Sequence, residues 1–207
     1  MTMIEVERKR ALADGGNAVT ARLIELGYRD AGSFVEVDTY YGPRHRDFLS
    51  TRECLRVRRS GQLAEITYKP ASDATTHSAA DVIAKPEVDV VLADSDEAEA
   101  ANELMTCVGM VMLARVEKAR TLYQRGGSPG VMVAVDVVDE LGAFVEVEIM
   151  TSDADGAAMV LEEVESSLGI LASPVVAAPY RDLIRECSGT ADGAGRSVDD
   201  QEGKTDG

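Results

Sequence analysis

The sequence predicts an α+β fold, an eight-stranded antiparallel β-barrel enclosing a polar tunnel, with helices packed on its outside. Three observations predict it. Apolar and charged residues alternate along about eight segments, the period of a strand whose two faces meet different surroundings. Seven of the 21 basic residues (Lys9, Arg56, Arg58, Lys69, Arg115, Lys118, Arg120) fall on these segments in a chain of net charge −16, so bases concentrate where an acidic surface would exclude them. The acids come as Glu-x-Glu pairs at both ends of the fold, Glu5/Glu7 and Glu146/Glu148. An antiparallel sheet with one solvated face would alternate as well. The basic set and the terminal pairs favour a sheet closed on itself, its first and last strands side by side.

The elements follow in order. Glu5, Glu7 and Lys9 share one face of an opening strand, 4–9, with Ile4, Val6 and Arg8 on the other. Asp14 or Asn17 caps a helix in which Val19, Leu23 and Leu26 recur at helical spacing, and Gly27 stops it. Residues 33–41 are β-rich and Gly42-Pro43 breaks them. Strands 54–59 and 63–69 form a hairpin around Ser60-Gly61 that presents Arg56, Arg58 and Lys69 inward. Residues 70–81 read as a polar loop, and 82–92 as a strand carrying Glu87 and Asp89, with Lys85, just before Pro86, at a solvated edge.

Residues 94–97 supply a cap and an acidic first turn for a helix carrying Ala101, Leu104, Met105 and Val108, ended by Gly109. Strands 112–124 and 131–138 flank a loop at 126–130, and Leu141-Gly142 turns into a last strand, 143–150. Asp153 caps a helix bearing Ala157, Val160, Leu161, Val164 and Leu168, and Pro179 opens a short helix through Cys187. From Ser188 onward apolar residues almost vanish, so the expected organisation is one domain, 1–187, and a disordered acidic tail, 188–207.

Composition narrows the function classes. No run approaches the ~20 apolar residues of a membrane span, and no apolar signal segment follows the first charges. Cys54, Cys107 and Cys187 are odd in number and far apart, which fits a reducing compartment, so a cytoplasmic protein is expected. Thirty-seven acidic residues argue against a nucleic-acid partner and suit a surface that stays hydrated in concentrated salt, the balance of a halophilic protein. His45 and His77 are the only histidines and both fall in loops, so zinc and histidine catalysis are disfavoured.

The charged strand faces carry the chemistry. Gathered in one tunnel, Glu5, Glu7, Glu146 and Glu148 would hold a hard divalent cation, Mg²⁺ or Mn²⁺, through carboxylate oxygens. The Arg and Lys set beside them would neutralise a polyphosphate by charge-assisted hydrogen bonds. Phosphoryl and nucleotidyl transfer rest mainly on such positioning, so the ligand implied is a triphosphate.

These residues resemble the CYTH family, the class IV adenylyl cyclases and thiamine triphosphatases among the triphosphate tunnel metalloenzymes. The likeness runs through Glu5-x-Glu7-x-Lys9, Asp38-Thr39-Tyr40, Leu55-Arg56-Val57-Arg58, Tyr68-Lys69, Glu87, the strand of Arg115, Lys118 and Arg120, Asp136 with Leu141-Gly142, residues 144–148 and Tyr180. It covers roughly residues 1–185. The resemblance implies that Glu5, Glu7, Glu146 and Glu148 bind metal, with Glu87 and Asp136 in or near that shell. Lys9, Arg56, Arg58, Lys69, Lys118 and Arg120 would bind phosphates. Arg115 matches a basic position of the family but lies off the face of Lys118 and Arg120.

Glu5, Glu7, Lys69 and Asp136 are the residues expected to take part in catalysis. Two activities fit: cyclisation of ATP, in which the ribose 3′-hydroxyl attacks the α-phosphate and pyrophosphate leaves, and hydrolysis of thiamine triphosphate or inorganic triphosphate. A catalytically idle polyphosphate binder is a third reading, disfavoured because both Glu-x-Glu pairs are intact. A homodimer is implied only by family likeness.

Overall fold

The computed structural model describes residues 4–72, 83–127 and 130–193. Expectations for 73–82, for Ser128 and Pro129, and for 194–207 lie outside the described residues. The strands are β1 (Ile4–Leu12), β2 (Arg29–Pro43), β3 (Cys54–Ser60), β4 (Leu63–Lys69), β5 (Ile83–Lys85), β6 (Val88–Val91), β7 (Met110–Gln124), β8 (Val131–Val138) and β9 (Gly142–Thr151). The helices are α1 (Asn17–Glu25), α2 (Glu97–Cys107), α3 (Ala154–Leu168) and α4 (Tyr180–Gly193). Among the described residues all nine strands form one antiparallel sheet in the order β5-β1-β9-β8-β7-β2-β3-β4-β6.

The predicted strand 82–92 is two strands, because Pro86 has no N–H to pass a ladder through and the chain leaves the sheet there. Its halves go to opposite edges: β5 pairs with β1 (Glu7↔Ile83) and β6 with β4 (Glu65↔Val91). One short segment therefore joins both edges of the sheet and curls it, so the eight expected segments give the expected architecture with one of them broken. Gly42-Pro43 does not break β2. It pairs onward as Gly42↔Val111 and Pro43↔Met110, with proline at the last position, where no further ladder bond is needed. Helix α4 continues past the expected domain end at 187.

Alternation sorts the two faces. Outward residues Val6, Val133, Val145 and Val147 pack with Leu23 of α1 and Leu161 and Leu168 of α3, and a second cluster seats Ala98, Ala101 and Met105 of α2 on Val57 and Ala64. Two of these helices, α1 and α3, start beside a side-chain acceptor. Asp14 accepts from the N–H groups of Gly16 and Ala18 before α1, and Asp153 accepts from Gly156 N–H at the start of α3. A third cluster lies on the inner face, at the next inward positions beyond the charges: Tyr40, Val116, Val138 and Phe144, with Tyr180 of α4 edge-on to Phe144 at 5.2 Å. No helix among the described residues is long and apolar enough to cross a membrane.

Candidate active site

The inner face encloses a cavity with about 910 Å³ of empty space, its open mouth included. Strands β1 and β9 set its acidic wall: Glu7 lies directly across from Glu148 and Lys9 across from Glu146, and opposed residues share a face. Ligand oxygens of Glu5, Glu7 and Glu148 lie within 4.8 Å of one another. Three convergent carboxylates, with room beside them for ligand oxygens and water, fit a hard divalent cation.

Cations face this cluster from the other walls, each aligned by a carboxylate. Arg58 makes a two-pronged bond to Asp38 (2.7 and 2.8 Å) and reaches Glu36 at 2.9 Å. Lys118 sits between Glu36 (2.8 Å) and Asp136 (3.3 Å). Arg120 grips both oxygens of Asp136 at 2.7 Å, touches Glu146 and approaches Glu148 at 3.4 Å. Lys69 bonds Glu5 and lies 3.5 Å from Glu87, which also meets Arg56 at 3.5 Å. Lys9 lies 3.7 Å from Glu146 and 3.9 Å above the ring of Tyr180, whose hydroxyl donates to Asp136 at 2.9 Å. Such pre-aligned cations need little reorganisation to meet an anion.

The carboxylates divide by electrostatic setting. Burial pushes Glu146 up, but Arg120, Lys118 and Lys9 outweigh it and hold Glu146 well below the usual carboxylate range. Burial opposed by Arg58 and Arg56 leaves Asp38 lowered too, and Lys69 does the same for Glu5. Glu148 goes the other way: burial, joined by the charges of Glu5, Glu146 and Glu7, prevails over Arg120 and pushes it up to about 8. Burial likewise raises Glu7, and lifts Glu87 to about 7. Glu148 thus holds a proton near neutrality, in a place a cation could take, and Glu7 beside it is shifted in the same direction.

A pH dependence follows with a definite sign. A divalent cation must displace the Glu148 proton, so Mn²⁺ affinity is expected to climb as pH rises toward about 8 and then level off. Calorimetric titrations in two buffers of different ionisation enthalpy would read the proton released; an affinity flat from about pH 6 to about pH 9 would contradict the assignment. For the metal-free fold, the contribution of Glu148, raised from 4.5 to about 8, is fully present below pH 4.5 and lost as pH rises through about 8. The depressed acids Asp38 and Glu146 stay ionised across that window, so the melting temperature is expected to fall from pH 5 toward pH 8.

Among the residues singled out from the sequence, Glu5, Glu7, Lys9, Arg56, Arg58, Lys69, Lys118, Arg120, Glu146 and Glu148 line the cavity together. Glu87 adjoins it through Lys69 and Arg56, and Asp136 lies fully buried behind Arg120. Arg115 is not brought to the cavity: its side chain is 52% exposed and pairs with Glu117 outside, since its parity on β7 is opposite to that of Lys118 and Arg120. Lys85 is not a solvated edge residue. It is 8% exposed, lines the cavity and donates to the carbonyls of Arg52 and Pro70, so the two loops at the mouth hold it down.

Sequence reading missed several contributors. Glu36 and Asp38 alternate with Val35 and Val37, a signal that could have placed them behind Arg58 and Lys118. Tyr180, named from the sequence only as part of the family likeness and given no role, lies under Lys9 and Lys118 and bonds Asp136. The neighbouring Arg181 is almost wholly buried and donates to the carbonyl of Glu53, a contact across the whole chain that no local pattern announces.

Comparison with known proteins matches the CYTH domain family model to residues 3–178. A Methanocaldococcus jannaschii protein provisionally named adenylate cyclase is 29% identical over 170 residues, covering 82% of this chain and 90% of that protein. A solved Pyrococcus horikoshii OT3 protein superposes with a TM-score of 0.73 at 25% identity, covering 88% of this chain and 99% of that one. A Hippeastrum protein, provisionally named adenylyl cyclase and described as having a dominant triphosphatase activity, gives a TM-score of 0.64 at 13% identity over 89% of this chain and 96% of that one.

Proposed function

The chain belongs to the CYTH domain family, and from that premise we propose that it is a divalent-metal-dependent enzyme that processes a triphosphate inside its barrel, acting as a class IV-type adenylyl cyclase on ATP. The observation that carries this reading is the meeting, in one cavity, of the Glu5/Glu7/Glu148 cluster with cations on the facing strands. The provisional name of the archaeal relative supports cyclisation.

Mg²⁺ or Mn²⁺ held by Glu5, Glu7 and Glu148 would supply positive charge and fixed geometry beside phosphate oxygens. Arg56 and Arg58 from β3, Lys118 and Arg120 from β7, and Lys9 and Lys69 bind the triphosphate from separate walls and hold it extended along the tunnel. Glu87, Asp136 and Glu146 fix the aim of these cations: Asp136 has both oxygens on Arg120, and Glu146 lies between Arg120 and Lys9. In the cyclase reaction the ribose 3′-hydroxyl attacks the α-phosphate, and the cation set retains the pyrophosphate that leaves.

The same groups serve hydrolysis, in which water attacks the terminal phosphate, and the description of the Hippeastrum neighbour keeps that as the second reading. Purified protein incubated with ATP, thiamine triphosphate or inorganic triphosphate, with Mg²⁺ or Mn²⁺ in concentrated salt, separates the two. Cyclic AMP with pyrophosphate supports the cyclase; orthophosphate supports the triphosphatase. No product from any of them leaves a non-catalytic polyphosphate binder.

A further inference from the structure

The outward face of β1 carries charge where its neighbours carry valine. Arg8 and Arg10, each 7% exposed, converge on Glu165 of α3, which is wholly buried. Arg8 engages both carboxylate oxygens (2.9 and 2.8 Å), and Arg10 reaches one of them through Nη2 at 2.9 Å. Stability alone does not explain this group, since well-packed apolar residues of similar volume often replace buried ion pairs without loss. Leu161 and Leu168 already seat α3 in the apolar cluster that includes Val6.

The second terminal nitrogen of Arg10 shows what the group does. Its Nη1 donates to the carbonyls of Leu171 (3.1 Å) and Ser173 (2.7 Å), in the connector from α3 to α4. That connector lies on the edge of β1 which β5 covers only from Glu5 to Glu7. Ala11 N–H donates to Pro174 O at 3.0 Å, Val176 N–H donates to Lys9 O at 2.9 Å, and Arg10 bridges Val175. The chain then enters the cavity wall, where Ala177, Pro179, Tyr180 and Arg181 line the site. Tyr180 lies beneath Lys9 and Lys118.

We propose that Arg10, aimed by Glu165, is a positioning residue: it docks the 171–176 connector on β1 and so sets Lys9 and Tyr180 at the height needed to bind a triphosphate. The inference rests on the triphosphate reading above. It predicts a split between the two ligands. The metal cluster is held by β5 and β9 on β1 and does not depend on the connector, whereas the Lys9/Tyr180 end of the phosphate site does.

Arg10→Met tests it, because Glu165 keeps its two-pronged partner Arg8 and the fold has no cause to collapse. Hydrogen exchange at the amides of Ala11 and Val176 is expected to accelerate roughly tenfold or more while the other β1 amides are unchanged. Mn²⁺ affinity should match the unmodified protein, and affinity for inorganic triphosphate in the presence of Mn²⁺ should fall roughly tenfold to a hundredfold. A second variant, R8M/R10M/E165M, replaces the whole group by apolar side chains and should melt no lower yet show the same loss of triphosphate affinity. Unchanged exchange at Ala11 and Val176, or undiminished triphosphate affinity in both variants, overturns the inference. Failure of the unmodified protein to bind triphosphate overturns the functional reading instead.

Discussion

Glu148→Gln is expected to lower metal-dependent turnover at least ~10²-fold while leaving the barrel as stable as before or more so. The two effects have one cause. Glu148 sits opposite Glu7, its ligand oxygen within 4.8 Å of those of Glu5 and Glu7, and burial with these like charges pushes it up to about 8. Glutamine copies the protonated side chain, so it removes a repulsion that the metal-free protein bears above about pH 8, and it removes a charge that the cation requires. Glu7→Gln should behave the same way for the same reason. Steady-state rates with Mn²⁺, read beside thermal melts at two pH values, check both halves. A full rate in either variant would remove these residues from the metal site.

Arg120→Met is expected to be the most damaging change in the cation set. Asp136 is wholly buried and has both oxygens on Arg120, and Glu146 is held well below its ordinary range first of all by that guanidinium. Without it, Asp136 retains Lys118 at 3.3 Å and Tyr180 at 2.9 Å, and Glu146 retains Lys9 at 3.7 Å. Leaving buried carboxylates so poorly compensated costs about 3–5 kcal/mol, and triphosphate binding loses a two-sided donor besides. Arg115→Met is the matched control. That side chain pairs with Glu117 on the outside, so its loss should stay within about 0.5 kcal/mol and leave triphosphate affinity untouched. Denaturant melts and calorimetry on the pair would read the contrast.

Much of this arrangement is legible in the sequence because a strand's period of two is rigid. Once Glu5, Glu7 and Lys9 are placed on one face of β1, and Glu146 and Glu148 on one face of β9, their mutual register needs only that the sheet close, and Glu7 does meet Glu148 across the ladder. Parity alone also separates Arg115 from Lys118 and Arg120. What distinguishes Glu146 from Glu148 is different in kind. Both belong to one Glu-x-Glu pair, yet Arg120 and Lys118 from β7 and Lys9 from β1 hold the first low, while burial beside Glu5, Glu146 and Glu7 pushes the second up.

The break at Pro86 was readable as a missing N–H, yet its consequence, two half-strands at opposite edges, is a property of closure. Lys85 changed surroundings with it, from an edge to the cavity wall. Arg8 and Arg10 are visible as bases on an apolar face, but Glu165 lies on α3 at the far end of the domain, and no local pattern links them.

The central claim is that one cavity holds a divalent cation and a triphosphate together, the carboxylates and the bases being halves of a single site. Titration of inorganic triphosphate into the protein with Mn²⁺, and again after complete chelation, tests it most directly. With the cation gone, the inner carboxylates face the ligand uncompensated, so affinity should drop sharply and recover when Mn²⁺ is restored. Equal affinity in the two titrations would contradict the account.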